Sequence, residues 1–259
     1  MAPIVIYTGP SMLDGNPIVV LASLGSKNEK TGPMIQTWIV RADMSPVEAR
    51  SVEADRTVCG DCPRRHALGG DCYVLIHNAP QSAWSAWWRH GSPEGDVTAA
   101  ALAIASDADR YGIRMGAYGD PAAVPWQVWE RLFVEVAHVT GRRPNHTGYS
   151  HQWARAMAPL QSEWCRRNLM ASVDSPTEAS LARASGWRYF LAMSPGSGDV
   201  PPRTIECLSV REASSVTCQE CGICDGSQGR PLRVSVCLLE HGARSGAKAK
   251  RSAALSVVQ

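Results

Sequence analysis

From Ile113 onward, short runs of β-forming residues alternate with amphipathic stretches. This pattern constrains the fold more than any other in the chain. Ile113–Tyr118, Pro144–Tyr149, Asn168–Val173, Arg188–Met193, Thr204–Leu208 and Leu232–Leu239 read as strands. Between the earlier ones lie helical stretches at Pro125–Val139, near Trp153–Arg167 and at Ser175–Ser185. The first places Trp126, Trp129, Leu132, Phe133 and Val136 on one side. In the last, Ser175 caps, Pro176 takes the first helical position, Glu178 completes a capping box and Gly186 stops the helix. Strand and helix in this rhythm argue for parallel βαβ units. The expected fold is α/β: a complete or partial parallel βα (TIM-like) barrel with cysteine-rich loops, with an open doubly wound sheet as the alternative. Either form places chemistry at the carboxyl ends of the strands.

The N-terminal part extends this unit. Ile4–Tyr7 and Pro17–Ala22 read as strands joined by a turn, Met34–Val40 as a further strand, and Pro46–Glu53 as a short helix. Gln81–His90 places Trp84, Trp87 and Trp88 on one helical face, a core stripe or else a platform for bases. Asp96–Tyr111 is an alanine-rich helix that Gly112 terminates. Residues 1–241 are expected to form one domain. Residues 242–259, with Arg244, Lys248, Lys250 and Arg251 among small residues, read as a basic tail.

With 44% hydrophobic and 19% charged residues, the chain can bury a core without disulfides. A net charge of +2 gives no argument for a nucleic-acid partner. The start, Met1-Ala2-Pro3, lacks an export signal, and no apolar run is long enough for a bilayer. A cytoplasmic protein without a membrane partner is expected. In a reducing compartment, paired cysteines read first as metal ligands or redox groups. The oligomeric state is not legible.

The nine cysteines fall into two groups and two singletons. Cys59-Gly-Asp-Cys62-Pro is followed by Cys72. Cys218-Gln-Glu-Cys221-Gly-Ile-Cys224 has Cys207 upstream. Thiolates separated by two residues can share one metal because a tight turn, eased here by Gly60 and Gly222, points both sulfurs inward. Three thiolates suit a [4Fe–4S] cluster with one open iron, and four suit a closed cluster or structural zinc. A third arrangement pools both groups on one metal. His66 is a possible fourth ligand of the first group or an exposed loop residue. Cys165 and Cys237 read as core cysteines.

Polar residues collect where the predicted strands end. Gly116-Ala-Tyr-Gly119-Asp120-Pro121, His146-Thr-Gly-Tyr149-Ser-His151 and Ser172-Val-Asp174-Ser175 follow one another at neighbouring strand ends. Asp120, His146, Tyr149, His151 and Asp174 are the candidate catalytic residues, through acid, base and hydrogen-bonding roles. The bland alternatives are a turn cap for Asp120, a helix start for Asp174 and a satisfied core histidine for His146. No P-loop, dinucleotide fingerprint, nucleophile elbow or His-Glu-x-x-His is present.

These motifs, with Lys30-Thr-Gly-Pro-Met-Ile-Gln-Thr-Trp38 and His146-Thr-Gly-Tyr-Ser-His-Gln-Trp153, resemble a cysteine-rich family encoded mainly by bacteriophages and prophages, over about Pro17–His241. The family implies location in a host cytoplasm and no established reaction. A more distant resemblance is to radical S-adenosylmethionine enzymes: a strand, a three-cysteine loop, a Gly-Gly-Glu-Pro-like strand end and a later Ser-x-Asp. Carried onto this chain, it implies a [4Fe–4S] cluster on Cys59, Cys62 and Cys72. Gly119, Asp120 and Ser172 would contact S-adenosylmethionine, and an auxiliary cluster would lie on the C-terminal cysteines. The chain departs from that pattern: Cys-x2-Cys and a nine-residue gap replace Cys-x3-Cys-x2-Cys, and Asp120 stands in place of Glu. The expected function is thus an iron–sulfur enzyme acting on an unidentified small molecule or nucleic acid. The alternative is a zinc-stabilised, non-catalytic protein binding a host factor or nucleic acid. A third reading, a nuclease or base-modifying enzyme, would use the His146/His151 pair.

Overall fold

The β-forming runs assemble into one sheet of nine strands. In the computed structural model, residues 3–110, 112–193, 199–211, 214–227 and 234–239 are described. Strands β1 (Ile4–Pro10), β2 (Pro17–Ser23) and β3 (Ile35–Arg41) form an antiparallel meander. From β3 onward every pairing is parallel. The neighbours are β4 (Ile113–Tyr118), β5 (His146–Ser150), β6 (Met170–Val173) and β7 (Tyr189–Met193). Then come β9 (Ser235–Leu239) and, at the edge, β8 (Thr204–Glu206).

The parallel rhythm read from the sequence is therefore present, and the sheet is open. Strand β1 ends it on one side and β8 on the other. Closure into a complete barrel is not made, because the antiparallel hairpin occupies one edge and the three-residue β8 the other. The order also lacks the central reversal that defines a doubly wound sheet.

Helices α1 (Pro46–Ser51), α2 (Arg56–Cys59), α3 (Ala79–Arg89) and α4 (Val97–Arg110) lie between β3 and β4. Single crossings follow: α5 (Trp126–Thr140), α6 (Pro159–Asn168) and α7 (Pro176–Ala184). The last short helix is α8 (Cys218–Cys221). Helix α6 begins later than expected, because His151–Ala154 forms a separate 3-10 turn capped by Ser150. The Ser175 cap and Pro176 start of α7 are as read.

The two faces of the parallel strands differ. Ile113 and Met115 of β4, Gly148 and Ser150 of β5, Ala171 and Val173 of β6, and Tyr189, Leu191 and Met193 of β7 are buried. This is the helix side: His146 stacks on Phe133 of α5 at 4.9 Å, and Arg183 of α7 lies over the Tyr189 ring. Trp129, Leu132, Phe133 and Val136 of α5 are fully buried, as the periodicity predicts. Side chains of this kind each stabilise the fold by about 1.5–3 kcal/mol. On the other face Arg114, Gly116, Tyr149, Ser172, Phe190 and Ala192 are only half-buried. We refer to this as the open face. The tryptophan stripe of α3 divides: Trp87 is buried, whereas Trp88 is 52% exposed and stacks on Trp84. The basic tail, 242–259, lies outside the described residues. Among the described residues, no helix is long and apolar enough to cross a membrane.

Candidate functional site

The first thiol group hangs on the carboxyl ends of β4 and β5. Helix α2 ends at Gly60, whose φ of 57° turns the chain so that the Cys62 N–H donates to Cys59 O at 3.2 Å. A side chain at Gly60 would overlap the Gln152 carboxamide. That carboxamide donates to Cys59 O at 3.1 Å. The Asp120 N–H donates to Val58 O, and the Cys72 N–H returns to Arg64 O at 3.0 Å. Arg65 stitches the loop internally, donating to Asp55 Oδ1 at 2.6 and 3.1 Å and to Glu53 O at 2.9 Å. Burial pushes the Cys59 thiol well above its usual range, and the neighbouring Cys62, Asp55, Cys72 and Asp120 add to the rise. Cys59, Cys62 and Cys72 are thus a converging set of anion-forming groups, with Arg65 and His151 as nearby cations.

Of the expected rim residues, His151 and Asp174 meet here. His151 Nε2 lies 3.6 Å from Asp174 Oδ2, beyond hydrogen-bond length, and makes an ion pair. Burial opposes its charge, yet the Asp174 carboxylate and the Cys62 sulfur push its pKa up to about 10. Asp174 is buried, which favours the neutral acid. His151 and Arg64 outweigh that and hold it below the usual carboxylate range. Arg64, which also pairs with Asp71, and Asp174 form a direct ion pair.

Asp120 is placed at this rim but is occupied. Oδ1 accepts from the Ala122 N–H at 2.9 Å and Oδ2 from the His151 N–H at 2.8 Å, so the carboxylate joins two strand ends. Burial pushes its pKa up against those bonds. Gly119, with φ at 80°, passes so close to Ile39 that an added Cβ would lie 2.6 Å from the Ile39 carbonyl. It serves a tight strand exit. Ser172 faces the open side, and its carbonyl accepts from Trp153 Nε1 at 3.1 Å.

Two expected rim residues lie elsewhere. His146 begins β5 instead of ending it. Its ring is buried against Phe133, its Nε2 is 3.0 Å from Asn168 O, and burial lowers its pKa. It is a satisfied core histidine, some five residues of strand from His151, and no His146/His151 pair forms. Tyr149 faces the second thiol group, with its hydroxyl bonded to Cys224 and Thr147.

The second group lies at the opposite, amino-terminal ends of the strands. The Cys218 N–H donates to Lys30 O, the Gln219 N–H to Thr31 O, and the Gly148 N–H to Cys224 O. Arg188, at the start of β7, donates to the carbonyls of Ile223, Gly226 and Val234 and pairs with Asp225 at 2.9 Å. A capping box between Thr217 and Glu220 starts α8, and Gly222 in the left-handed region ends it. Cys207, Cys218, Cys221 and Cys224 line one small pocket together with Tyr149, Ile205 and Val236. Burial pushes Cys224 up to about 12, and Cys218 and Cys207 add to the rise. The two groups dock differently, Cys59 on Gln152 beyond the carboxyl end of β5, and Cys218 and Gln219 on Lys30 and Thr31 ahead of β3.

His66 is exposed, and Cys165 and Cys237 are buried, as the sequence suggests. None of the nine cysteines is joined in a disulfide. Among the described residues, no three Cys, His, Asp or Glu side chains stand at metal-holding distances as they lie. Sequence reasoning missed Gln152, Arg64, Arg65, Tyr73 and Arg114. Arg64-Arg65 inside a cysteine loop was the available signal, since cations there can balance thiolates.

Fold and site together define an α/β protein with a mostly parallel open sheet and two separate thiol groups. Comparison with protein-family models, with curated proteins and with solved structures finds no match.

Proposed function

We propose that the chain is an iron–sulfur enzyme, built on an incomplete βα barrel, whose active centre is a [4Fe–4S] cluster on Cys59, Cys62 and Cys72. The carrying observation is that Cys62 and Cys72 lie near enough to Cys59 to act on its thiol, at the carboxyl ends of the parallel strands, with His151 and Asp174 adjoining. The donor chemistry fits: sulfur is a soft donor suited to iron, and a bound metal would take the place of the proton that burial keeps on Cys59. A cluster on three thiolates leaves one iron open to a ligand and supplies single-electron chemistry. The chain's own part is positional. Arg65 and Gln152 hold the loop, Arg64 fixes Asp174, and the His151 imidazolium faces the Cys62 sulfur. S-adenosylmethionine is the ligand the resemblance names, but the contact expected from Asp120 does not fit, because both its oxygens are committed to strand ends. The phage origin remains part of this reading.

A second reading is favoured by one observation at the other group. Among the described residues of 207–224 there are only a 3-10 turn and the four-residue α8, too little to build a core. Four thiols in such a segment suit a structural zinc, and the protein would then be a stapled binding protein. The deciding experiment measures iron, acid-labile sulfide and zinc in protein purified without oxygen, for wild type and for the triple variant Cys59→Ala/Cys62→Ala/Cys72→Ala. Matching iron and sulfide that the triple variant loses supports the enzyme. Zinc in both groups without sulfide refutes it.

A further inference from the structure

Strand β4 carries a cation on the open face, near Cys218 of the second thiol group. Arg114 is in register with Gln36 on β3 and Thr147 on β5, so it points to the open face, between the two thiol groups. Arg41, Arg64, Arg65, Arg143, Arg155 and Arg188 each meet a carboxylate. Arg114 meets none among the described residues. It makes one hydrogen bond, from Nη2 to Tyr73 Oη at 3.0 Å. A guanidinium has five donors, and the Tyr73 bond uses one, so four remain available to a ligand on this face.

The surroundings of Arg114 define what such a ligand would be. Tyr73 is 67% exposed, so its hydroxyl steadies Arg114 while its ring stays unpacked. Across the face Tyr149 and Phe190 meet edge to face, with centroids 4.9 Å apart, and form an aromatic wall. Ser172 and Ala192 continue the half-buried strip. A planar body fits the wall, and a forked anion matches the guanidinium geometry. We propose that Arg114 anchors the oxyanion, carboxylate or phosphate, of a small ligand with a planar body that lies on the open face between the two thiol groups. This goes beyond the iron–sulfur reading and does not depend on which metal is bound.

The test titrates the full chain by calorimetry with benzoate, phenyl phosphate and, as the neutral control, benzyl alcohol. Metal content is measured on the same samples. Binding of either anion but not of the alcohol, weakened at least tenfold in Arg114→Gln, partly restored in Arg114→Lys and unchanged in Arg89→Gln, supports the site. The anion that binds identifies the ligand class. Absence of anion binding to wild type, or binding unchanged in Arg114→Gln, overturns it. So does loss of anion binding together with loss of metal, since Arg114 would then be a counter-charge for Cys218. Should Arg114→Gln not fold, phenylglyoxal labelling of wild type gives the same decision: protection of Arg114 by the bound anion supports the site, and undiminished labelling refutes it.

Discussion

The loop that carries the first thiol group depends on the Arg65–Asp55 ion pair, whose side chains are only 7% and 8% exposed. Asp55→Ala leaves the guanidinium buried and uncompensated, with just the Glu53 and Gly60 carbonyls as acceptors. Breaking a buried pair from one side costs about 3–5 kcal/mol. For a chain near this size each kcal/mol lowers the melting temperature by about 2–4 °C, so a fall of roughly 6–20 °C is expected. Arg65→Met in the same chain removes the stranded charge. It also leaves the two carbonyls short of a donor, at about 1 kcal/mol or more each. The double variant should therefore regain part of the loss, and a double-mutant cycle should return a coupling of about 2–3 kcal/mol. Urea unfolding of the four proteins at one pH measures it. A coupling below about 0.5 kcal/mol, or a single variant within 1 kcal/mol of wild type, would refute the view that this pair holds the loop.

Three further outcomes are expected. Gly60→Ala places a Cβ on a residue with φ at 57° and against Gln152. A loss of more than about 1 kcal/mol should appear in thermal melts, and Gln152→Ala should relieve only the contact part. Glu130 accepts two bonds from Arg143, at 2.9 and 3.0 Å, which hold its pKa below 4.5 against partial burial. A depressed carboxylate stabilises the fold above its unfolded pKa and loses that contribution as pH falls through the folded value. The wild-type urea midpoint should thus drop below about pH 4.5 more steeply than that of Glu130→Gln, and equal slopes would remove Glu130 from the account. Finally, chelation of metal from the loaded protein should expose residues 207–224 to trypsin at Arg211 while hydrogen exchange in β4–β7 stays slow. Uniform protection after chelation would deny the second group a stapling role.

The parallel strands were legible because β-branched runs and helix caps such as Ser175-Pro176 act locally. Closure was not legible, because it depends on which strands occupy the sheet edges, and no residue of β1 or β8 announces that. The core identities of Cys165 and Cys237 followed from their place in apolar runs. His146 was misplaced at the rim for a narrow reason: β5 begins two residues later than Pro144 and ends one later than Tyr149. The polar run from His146 to His151 thus spans the whole strand, with His146 at its start and His151 just past its end. The roles of Asp120 and Gln152 arise from contacts with α2 and the strand ends, far away in sequence, which periodicity does not encode.

The second thiol group also sets an order of events during synthesis. Its residues are made long after those they dock on, Lys30, Thr31 and Gly112, and the Gly112–Gln219 bond alone spans 107 residues. The amino-terminal ends of β3–β5 therefore wait, uncovered, until residues 207–224 leave the ribosome. Closing so long a loop is slow relative to local helix formation. The first group, made from residues 59–72 and anchored on Asp120 and Gln152, is complete far earlier. The first thiol group can thus assemble while the second is still unmade, so the second closes later over strand ends that are already in place.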